Sequence, residues 1–268
     1  QLYGRGSVDA KGAIVAFSCA AARIMNAGKK ISLVIAACPD EEGISNGAKA
    51  LLKRFNPEMI VIGEPSGANA ITIGYRGHIK MEIVFQEKSH HKSTNALGAN
   101  EQAIEFWQRV RHYCNGHLHG KSAFEKMDAY LLSMHSAGDG LMETATLRIG
   151  LRFPLGIEVN EIENQLHSFS GKGKLTMLDS VSGFKSGRAN ALVNAFAIAI
   201  GKKKGNIIFK QKTGTADFNI LGKYYQKPIL AYGPGDSSQD HTPHEHLELD
   251  EFFSSIEIIE SALKKIFQ

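Results

Sequence analysis

Helices alternate with short, uninterrupted apolar runs along the first part of the chain, and this alternation limits the possible folds more than any other feature. Apolar or amphipathic stretches at 10–27 and 44–55 predict helices, and apolar runs at 31–37 and 59–62 predict buried strands. Buried strands that are separated by helices are typical of a parallel sheet covered on both faces. The sequence therefore predicts an α/β fold in which a mostly parallel sheet is flanked by helices.

The pattern changes near residue 70, where apolar and polar residues begin to alternate one by one. Alternation at 70–86 and 145–153 predicts strands, because successive side chains of a strand point to opposite faces of its sheet. Helices at 100–113 and 158–169 and a strand at 175–178 complete this part of the chain. The order of elements predicts a small α+β two-layer domain inserted into the larger α/β unit.

The larger unit resumes after the insertion. Its remaining predicted elements are helices at 188–200 and 248–267 and strands at 207–209 and 229–232. We therefore predict that residues 1–73 and 182–268 form one main domain and that residues 74–181 form the inserted domain.

Composition and charge exclude several classes of partner. A chain of 268 residues that is 43% hydrophobic and 22% charged is typical of a globular protein, and no apolar run approaches 18 residues. The net charge is only +4, and the basic run Lys202–Lys204 fits a solvated helix end, so we expect neither a nucleic-acid nor a membrane partner. Three widely spaced cysteines indicate a reducing, cytoplasmic setting.

Carboxylates and an imidazole follow the predicted strands of the main domain. Asp9, the pair Glu41 and Glu42, Glu64 and His241 all lie in such loops, and ligands of an open α/β sheet bind where its strands end. Several carboxylates in one partly desolvated pocket repel one another unless cations neutralise them. Asp, Glu and His ligands without Cys suit Zn²⁺, Co²⁺ or Mn²⁺. The sequence therefore predicts a divalent-metal site at this edge of the sheet.

Each of these residues also has a simpler explanation when it is taken alone. Asp9 fits the N-cap of a helix, and Glu41 and Glu42 fit the first turn of another helix, where acids interact favourably with the helix dipole. Glu64 fits a turn, and His241 fits an exposed His-rich loop. The combination and order of the residues favour the metal site.

Four motifs carry a resemblance to one known family. They are Gly4-Arg5-Gly6-Ser7-Val8-Asp9-Ala10-Lys11-Gly12, Asp40-Glu41-Glu42, Gly63-Glu64-Pro65 and the run His-Thr-Pro-His-Glu from His241 to Glu245. In this order they resemble the dizinc amidohydrolases, the family of acetylornithine deacetylase, succinyl-diaminopimelate desuccinylase, aminoacylase and carboxypeptidase G. The stretches Lys212–Asp217 and Ala231–Asp236 are most similar to the branch that releases lysine or ornithine from an amino-group carrier protein.

The resemblance implies a role for each motif residue. The main domain would be a zinc-peptidase-like catalytic domain that holds two divalent ions, Zn²⁺ or Co²⁺. Asp9 would bridge the two ions, Glu42 would be a terminal ligand of one ion and Glu64 a ligand of the other. His241 matches the family's final His ligand, and Glu41 would be the general base.

The resemblance extends to the inserted domain and to substrate contacts. The inserted domain resembles the family's lid and dimerisation domain, so a homodimer is expected. His91 best fits the family's oxyanion-stabilising His, with His90 as the alternative, although two exposed histidines in a turn are a simpler explanation. Arg188 and the Gly214-Thr215 loop lie where relatives bind the substrate carboxylate, and a plain helix-start Arg remains the alternative for Arg188.

Three more expectations concern one peptide bond, two further histidines and the family's first metal ligand. The peptide bond between Asp9 and Ala10 is expected to be cis, and His244 and His246 do not match the ligand position. The family's first ligand is a His in a His-x-Asp motif upstream of the Gly-Arg-Gly loop, and the printed sequence begins at that loop. We therefore expect a truncated or cleaved form that is metal-poor and inactive as it stands.

The implied reaction is metal-dependent hydrolysis of a linear amide. The favoured substrate joins lysine or ornithine to a glutamate side chain of a small acidic carrier protein, in lysine or arginine biosynthesis, and the mildly basic chain agrees with an acidic partner. One alternative is a deacetylase of a small N-acyl amino acid, N-acetyl-lysine or N-acetylornithine, or a dipeptidase. The other is an inactive fragment that acts as a dimerisation or binding module.

Overall fold

The chain divides into two compact units in the computed structural model, which describes residues 1–27, 31–89, 91, 96–117 and 122–267. The first unit comprises Gln1–Gly74, Lys185–Lys212 and Ala216–Gln268, and the second comprises Tyr75–Phe184 and Thr213–Thr215. The assignment of residues 1–73 and 182–268 to one domain and of residues 74–181 to another, with separate roles, stays a prediction.

Helices and strands of the described residues are numbered here in chain order. The helices are α1 (Gly12–Asn26), α2 (Asn46–Leu51), α3 (Ala99–Gly116), α4 (Val159–Phe169), α5 (Ala191–Lys204), α6 (Asp217–Tyr225) and α7 (Leu249–Ile266). The strands are β1 (Leu2–Tyr3), β2 (Ile60–Ile62), β3 (Ala70–Tyr75), β4 (Gly77–Lys88), β5 (Asp128–Gly138), β6 (Met142–Phe153), β7 (Lys174–Val181), β8 (Phe184–Lys185), β9 (Ile208–Lys212), β10 (Ile229–Ala231) and β11 (His246–Leu247). Short helical turns occur at Ser7–Lys11, Ala123–Glu125 and Ser237–Gln239.

A five-stranded sheet forms the centre of the first unit. Its strand order is β2-β10-β3-β8, with β9 also paired to β3, and β10 runs parallel to β2 but antiparallel to β3. Side chains of α1, α5 and α7 share a core with this sheet, in which the rings of Phe196 and Tyr232 lie 5.2 Å apart. The α/β class is confirmed, and within the described residues the sheet is mixed rather than mostly parallel.

The second unit is an α+β sandwich of two layers. Neighbouring strands of its four-stranded sheet, ordered β5-β6-β4-β7, are antiparallel. Alternate residues of β4 from Ile79 to Phe85 are buried in a core shared with α3 and α4. The sequence pattern does not indicate β5, because its large apolar residues Leu131, Leu132 and Met134 do not alternate regularly with polar ones. In the structure these three side chains are exposed.

Two predictions for the first unit are wrong. Residues 31–39 form no regular element, and Val34 and Ile35 are exposed. An apolar run shows only which side chains favour burial, whereas a strand also needs a neighbouring edge that completes its backbone hydrogen bonds. The helix predicted at 44–55 spans only Asn46–Leu51, because the backbone leaves the helical region at Leu52.

Two observations bear on the setting of the protein. Across the described residues, no helix combines the length and the apolar character that crossing a bilayer would require. Cys19, Cys38 and Cys114 are all free thiols.

The buried face of α3 provides a test of the second unit. We expect Phe106→Ala to lower the free energy of unfolding by about 3–5 kcal/mol, because this side chain is 1% exposed and packs near Phe85. Ile104→Ala is the matched control on the same helix, because Ile104 is 45% exposed and its loss should change stability by about 0.5 kcal/mol. Urea denaturation followed by circular dichroism measures both variants. Equal losses would contradict the assigned core.

Candidate metal centre

Asp9 lies in a tight turn that leads into the first helix. Gly6 adopts a left-handed conformation with φ of 83°, and Ser7–Lys11 then forms a short turn, non-helical at Asp9 and Ala10, that leads into α1. The peptide bond between Asp9 and Ala10 is cis, which confirms that expectation. The residue at the N-cap of α1 is Lys11 rather than Asp9. The carboxylate of Asp9 is therefore not used to cap α1.

Asp9, Glu42 and His241 converge although they come from three distant segments of the first unit. His241 Nε2 lies 2.6 Å from Glu42 Oε1 and 3.3 Å from Asp9 Oδ2. One ligand atom from each residue lies within 4.8 Å of the other two. Two carboxylates and one imidazole at such distances fit a divalent ion such as Zn²⁺ or Co²⁺, since these ions accept mixed nitrogen and oxygen ligands.

Glu64 follows β2 and faces a cation supplied by the chain itself. Lys212 Nζ lies 3.6 Å from Glu64 Oε2, and both side chains are largely buried. Burial raises the pKa of Glu64 to about 7; Lys212 opposes this shift, and repulsion from Asp9 and Asp240 adds to it. Glu64 is therefore close enough to Asp9 to interact with it electrostatically, but it is not part of the group of three ligands.

Glu41 has the most strongly perturbed carboxyl group of the centre. The pKa of Glu41 is raised to about 8, mainly by burial and further by repulsion from four other carboxylates. These carboxylates belong to Glu64, Asp217, Glu42 and Asp9. A carboxyl group with a pKa near neutrality is suited to proton transfer, because it both binds and releases a proton at the working pH. The position and the environment of Glu41 support its predicted role as general base.

Three charged residues of the centre were not assigned a role from the sequence. Asp217 begins α6 and is 7% exposed, and its Oδ1 has no hydrogen-bond partner among the described residues. Burial raises the pKa of Asp240 to about 6, with Asp9 as the next cause. The third residue is Lys212. Their positions in the sequence could have indicated a role. Lys212 and Asp217 are the first and last residues of the motif Lys212–Asp217, and Asp240 directly precedes His241.

The predicted substrate-binding residues are divided between the two units. Arg188 belongs to the first unit, where its guanidinium lies 4.5 Å from the ring centroid of Phe209. Gly214 and Thr215 group with the second unit, where Thr215 Oγ1 lies 3.0 Å from His78 Nδ1. Their roles in binding a carboxylate stay predictions.

The remaining histidines of the sequence analysis are placed as follows. His91 is an exposed residue of the second unit, and its role in oxyanion stabilisation stays a prediction. His90 lies outside the described residues. His244 and His246 are not part of the group of three ligands, and His246 Nδ1 instead lies 2.9 Å from the carbonyl oxygen of His244.

An α/β scaffold with three potential metal ligands and a nearby carboxyl group of raised pKa is typical of metal-dependent hydrolases. The chain belongs to peptidase family M20/M25/M40, whose model matches residues 1–265. The resemblance to dizinc amidohydrolases and the prediction of a metallo-amidohydrolase are thereby confirmed.

Curated relatives and solved structures agree with this assignment. The chain is 34% identical over 275 residues to a LysW-lysine hydrolase from Deinococcus radiodurans, which covers 99% of this chain and 75% of that protein. A putative LysW-lysine/LysW-ornithine hydrolase from Pyrococcus furiosus is 34% identical over 267 residues, 99% of this chain and 74% of that protein.

Solved structures share the fold at low sequence identity. An M20 family metallo-carboxypeptidase from Sulfolobus solfataricus has a TM-score of 0.77 at 14% identity, covering 98% of this chain and 77% of that one. Human carnosine dipeptidase 1 has a TM-score of 0.74 at 12% identity, covering 99% of this chain and 73% of that one.

Because the carboxylates of the centre repel one another when they are ionised, we expect divalent metal to stabilise the chain more at higher pH. Folding raises the pKa values of Glu41 and Glu64 from 4.5 to about 8 and about 7. The folded state therefore binds more protons than the unfolded state in this window, and without metal its stability falls as pH rises toward about 8. A bound cation offsets the repulsion between the ionised groups.

Differential scanning fluorimetry at about pH 6 and about pH 8, with and without Co²⁺, measures this effect. We expect the larger metal-induced rise in Tm at the higher pH. In the metal-free protein, Glu41→Gln should flatten the dependence of Tm on pH, because the amide does not titrate in this range. A metal-free Tm that increases across this window would contradict the assigned environment.

Proposed function

We propose that this protein hydrolyses the amide that joins lysine or ornithine to a glutamate side chain of a small acidic amino-group carrier protein. The meeting of Asp9, Glu42 and His241 near Glu41, a carboxyl group whose pKa is raised to about 8, is the observation that carries the proposal. The printed functions of relatives that are 34% identical over nearly the whole chain support this substrate. The reaction would serve lysine or arginine biosynthesis, and three free thiols favour a cytoplasmic setting.

The ligand set supports two divalent ions, with Zn²⁺ and Co²⁺ as the proposed metals. Asp9 would be shared, Glu42 and His241 would complete one position, and Glu64 would serve the other. When bound, the ions supply Lewis-acid activation of the scissile carbonyl and of the attacking water. Lys212 beside Glu64 would have to move aside or remain as a neighbouring positive charge when the second position is filled.

Glu41 would carry the proton through the reaction. It accepts a proton from the water whose oxygen attacks the amide carbon, and it then passes this proton to the nitrogen of the leaving amine as the carbon–nitrogen bond breaks. The glutamate carboxylate of the carrier is regenerated, lysine or ornithine leaves with its amine, and Glu41 returns to its starting state. By the family resemblance, His91 of the partner subunit would donate a hydrogen bond to the developing oxyanion.

Substrate and subunit contacts complete the proposal. Arg188 would bind the free carboxylate of the amino acid through its paired donors. The Gly214-Thr215 loop stays a separate proposed substrate contact. The net charge of +4 suits an acidic carrier protein. A homodimer would form through the second unit, where the edge strand β5 exposes Leu131, Leu132 and Met134.

Replacement of Glu41 tests the proton-transfer role. We expect Glu41→Gln to lower kcat for lysine release by about 10²- to 10⁴-fold, because an amide neither accepts nor returns the proton. Glu58→Gln is the matched control, since Glu58 is an exposed glutamate, and its turnover should equal that of the wild type. Amino-acid analysis of released lysine measures turnover in the gene product that contains this chain, and elemental analysis checks that both variants hold the same metal. Unchanged turnover of Glu41→Gln would contradict the role.

A comparison of substrates tests the proposal that lysine is released from a carrier protein. We expect kcat/KM for carrier-linked lysine to exceed that for free N-acetyl-lysine by at least about tenfold, because contacts with the carrier body lower the barrier by at least about 1.4 kcal/mol. The reverse preference would favour the deacetylase. A metal-loaded protein without turnover on either substrate or on dipeptides would favour the non-enzymatic binding module.

A further inference from the structure

We propose that Glu245 is a positioning residue that fixes the Asp9 turn in the conformation that binds metal. The inference rests on the metal centre proposed above and adds a residue that is not itself a ligand. Its basis is the set of hydrogen bonds that the Glu245 carboxylate accepts from the backbone of Asp9 and of residues just before it.

The carboxylate of Glu245 is enclosed by backbone N–H groups of the turn. Gly6 N donates to Glu245 Oε2 at 3.0 Å, and Val8 N and Asp9 N donate to Oε1 at 2.9 and 3.1 Å. The residue is only 2% exposed. Its ion pair with the exposed Arg5 is longer, at 3.7 Å.

These three donors have no natural partner within the turn. They lie in a turn whose backbone is not helical at Asp9 and Ala10, before α1 begins at Gly12, so a regular helix does not supply their acceptors. One carboxylate satisfies all three, and hydrogen bonds to a charged acceptor are stronger than those to a neutral one. Because the group is buried, removing it leaves unsatisfied donors that water does not readily reach. The turn is therefore held in one conformation by Glu245, and the direction of the Asp9 side chain follows from that conformation.

Glu245 also connects the Asp9 turn to the loop that carries His241. Gly4 N donates to the backbone oxygen of Glu245 at 3.0 Å, and the next two residues form β11, which pairs with β1. His241 lies four residues before Glu245 in the same segment. A single short segment thus holds the Asp9 turn through its side chain and presents His241 at 3.3 Å from Asp9.

Loss of this carboxylate should weaken metal binding. Glu245→Gln keeps the size of the side chain and one acceptor, but its NH₂ group must face an N–H donor of the turn. Removal of a partner that orients a metal ligand typically lowers metal affinity by about 10- to 100-fold. We expect the Kd of Glu245→Gln for Zn²⁺ to rise within this range.

Two control variants separate positioning from a general loss of stability. Arg5→Ala removes the ion pair but keeps the three backbone hydrogen bonds, so its Kd should match that of the wild type. Tyr232→Phe removes a buried hydroxyl that donates to the Ala68 carbonyl oxygen at 3.1 Å, so it should lower Tm without changing the Kd.

The experiment titrates each purified protein with Zn²⁺ in competition with a chromophoric chelator and records the visible spectrum of the Co²⁺ form. Circular dichroism first sets a temperature at which every variant is folded. If Glu245→Gln does not fold, Glu245→Asp takes its place, because the shorter carboxylate keeps the charge but does not reach all three donors.

A higher Kd and an altered Co²⁺ spectrum for the Glu245 variant, with normal binding by both controls, would support the proposal. Wild-type affinity in the Glu245 variant would overturn it, as would an equal loss of affinity in Tyr232→Phe. If the wild type itself binds neither Zn²⁺ nor Co²⁺, the proposed metal centre fails and the positioning role fails with it. The two kinds of failure are therefore distinguishable.

Discussion

Repulsion between carboxylates is the constraint on which the rest of the site depends. Glu41, Glu64 and Asp217 come from separate segments of the first unit, and burial together with repulsion from the other two carboxylates helps to raise the pKa of Glu41 to about 8. The core that α1, α5 and α7 share with the sheet stabilises this arrangement, because apolar burial there outweighs the electrostatic cost. The scaffold thus holds its acids in a state that becomes favourable when a cation is bound.

Three glutamates of this unit show three ways of accommodating a buried negative charge. Glu245 accepts hydrogen bonds from three backbone N–H groups, and Glu64 faces the ammonium group of Lys212. Glu41 instead has its pKa raised to about 8 by burial and by repulsion from neighbouring carboxylates, so without metal it is largely neutral at pH 7. A bound divalent cation would lower this pKa and leave Glu41 ionised, which is the form that accepts a proton. Of the three glutamates, Glu41 is the one proposed to move protons.

The sequence predicts those parts of the molecule that depend on local pattern. The alternation from Ile79 to Phe85 predicts β4 because one face of its sheet packs on helices and the other does not. The loops at Asp9, Glu42 and His241 could be identified by motif order. The failed strand at 31–37 depends on a partner edge, and the contact between Lys212 and Glu64 joins distant segments without any shared pattern. Such features follow from the tertiary structure and leave no local trace in the sequence.

Asp9 and His241 are 232 residues apart in the chain, and this separation affects when the proposed metal centre can form. During translation, Asp9 leaves the ribosome long before His241 does. Since the three proposed ligands come together only after their segments have folded against one another, a nascent chain that lacks His241 cannot bind an ion through all of them. Binding of metal at the complete centre is consequently a step that follows the synthesis of His241.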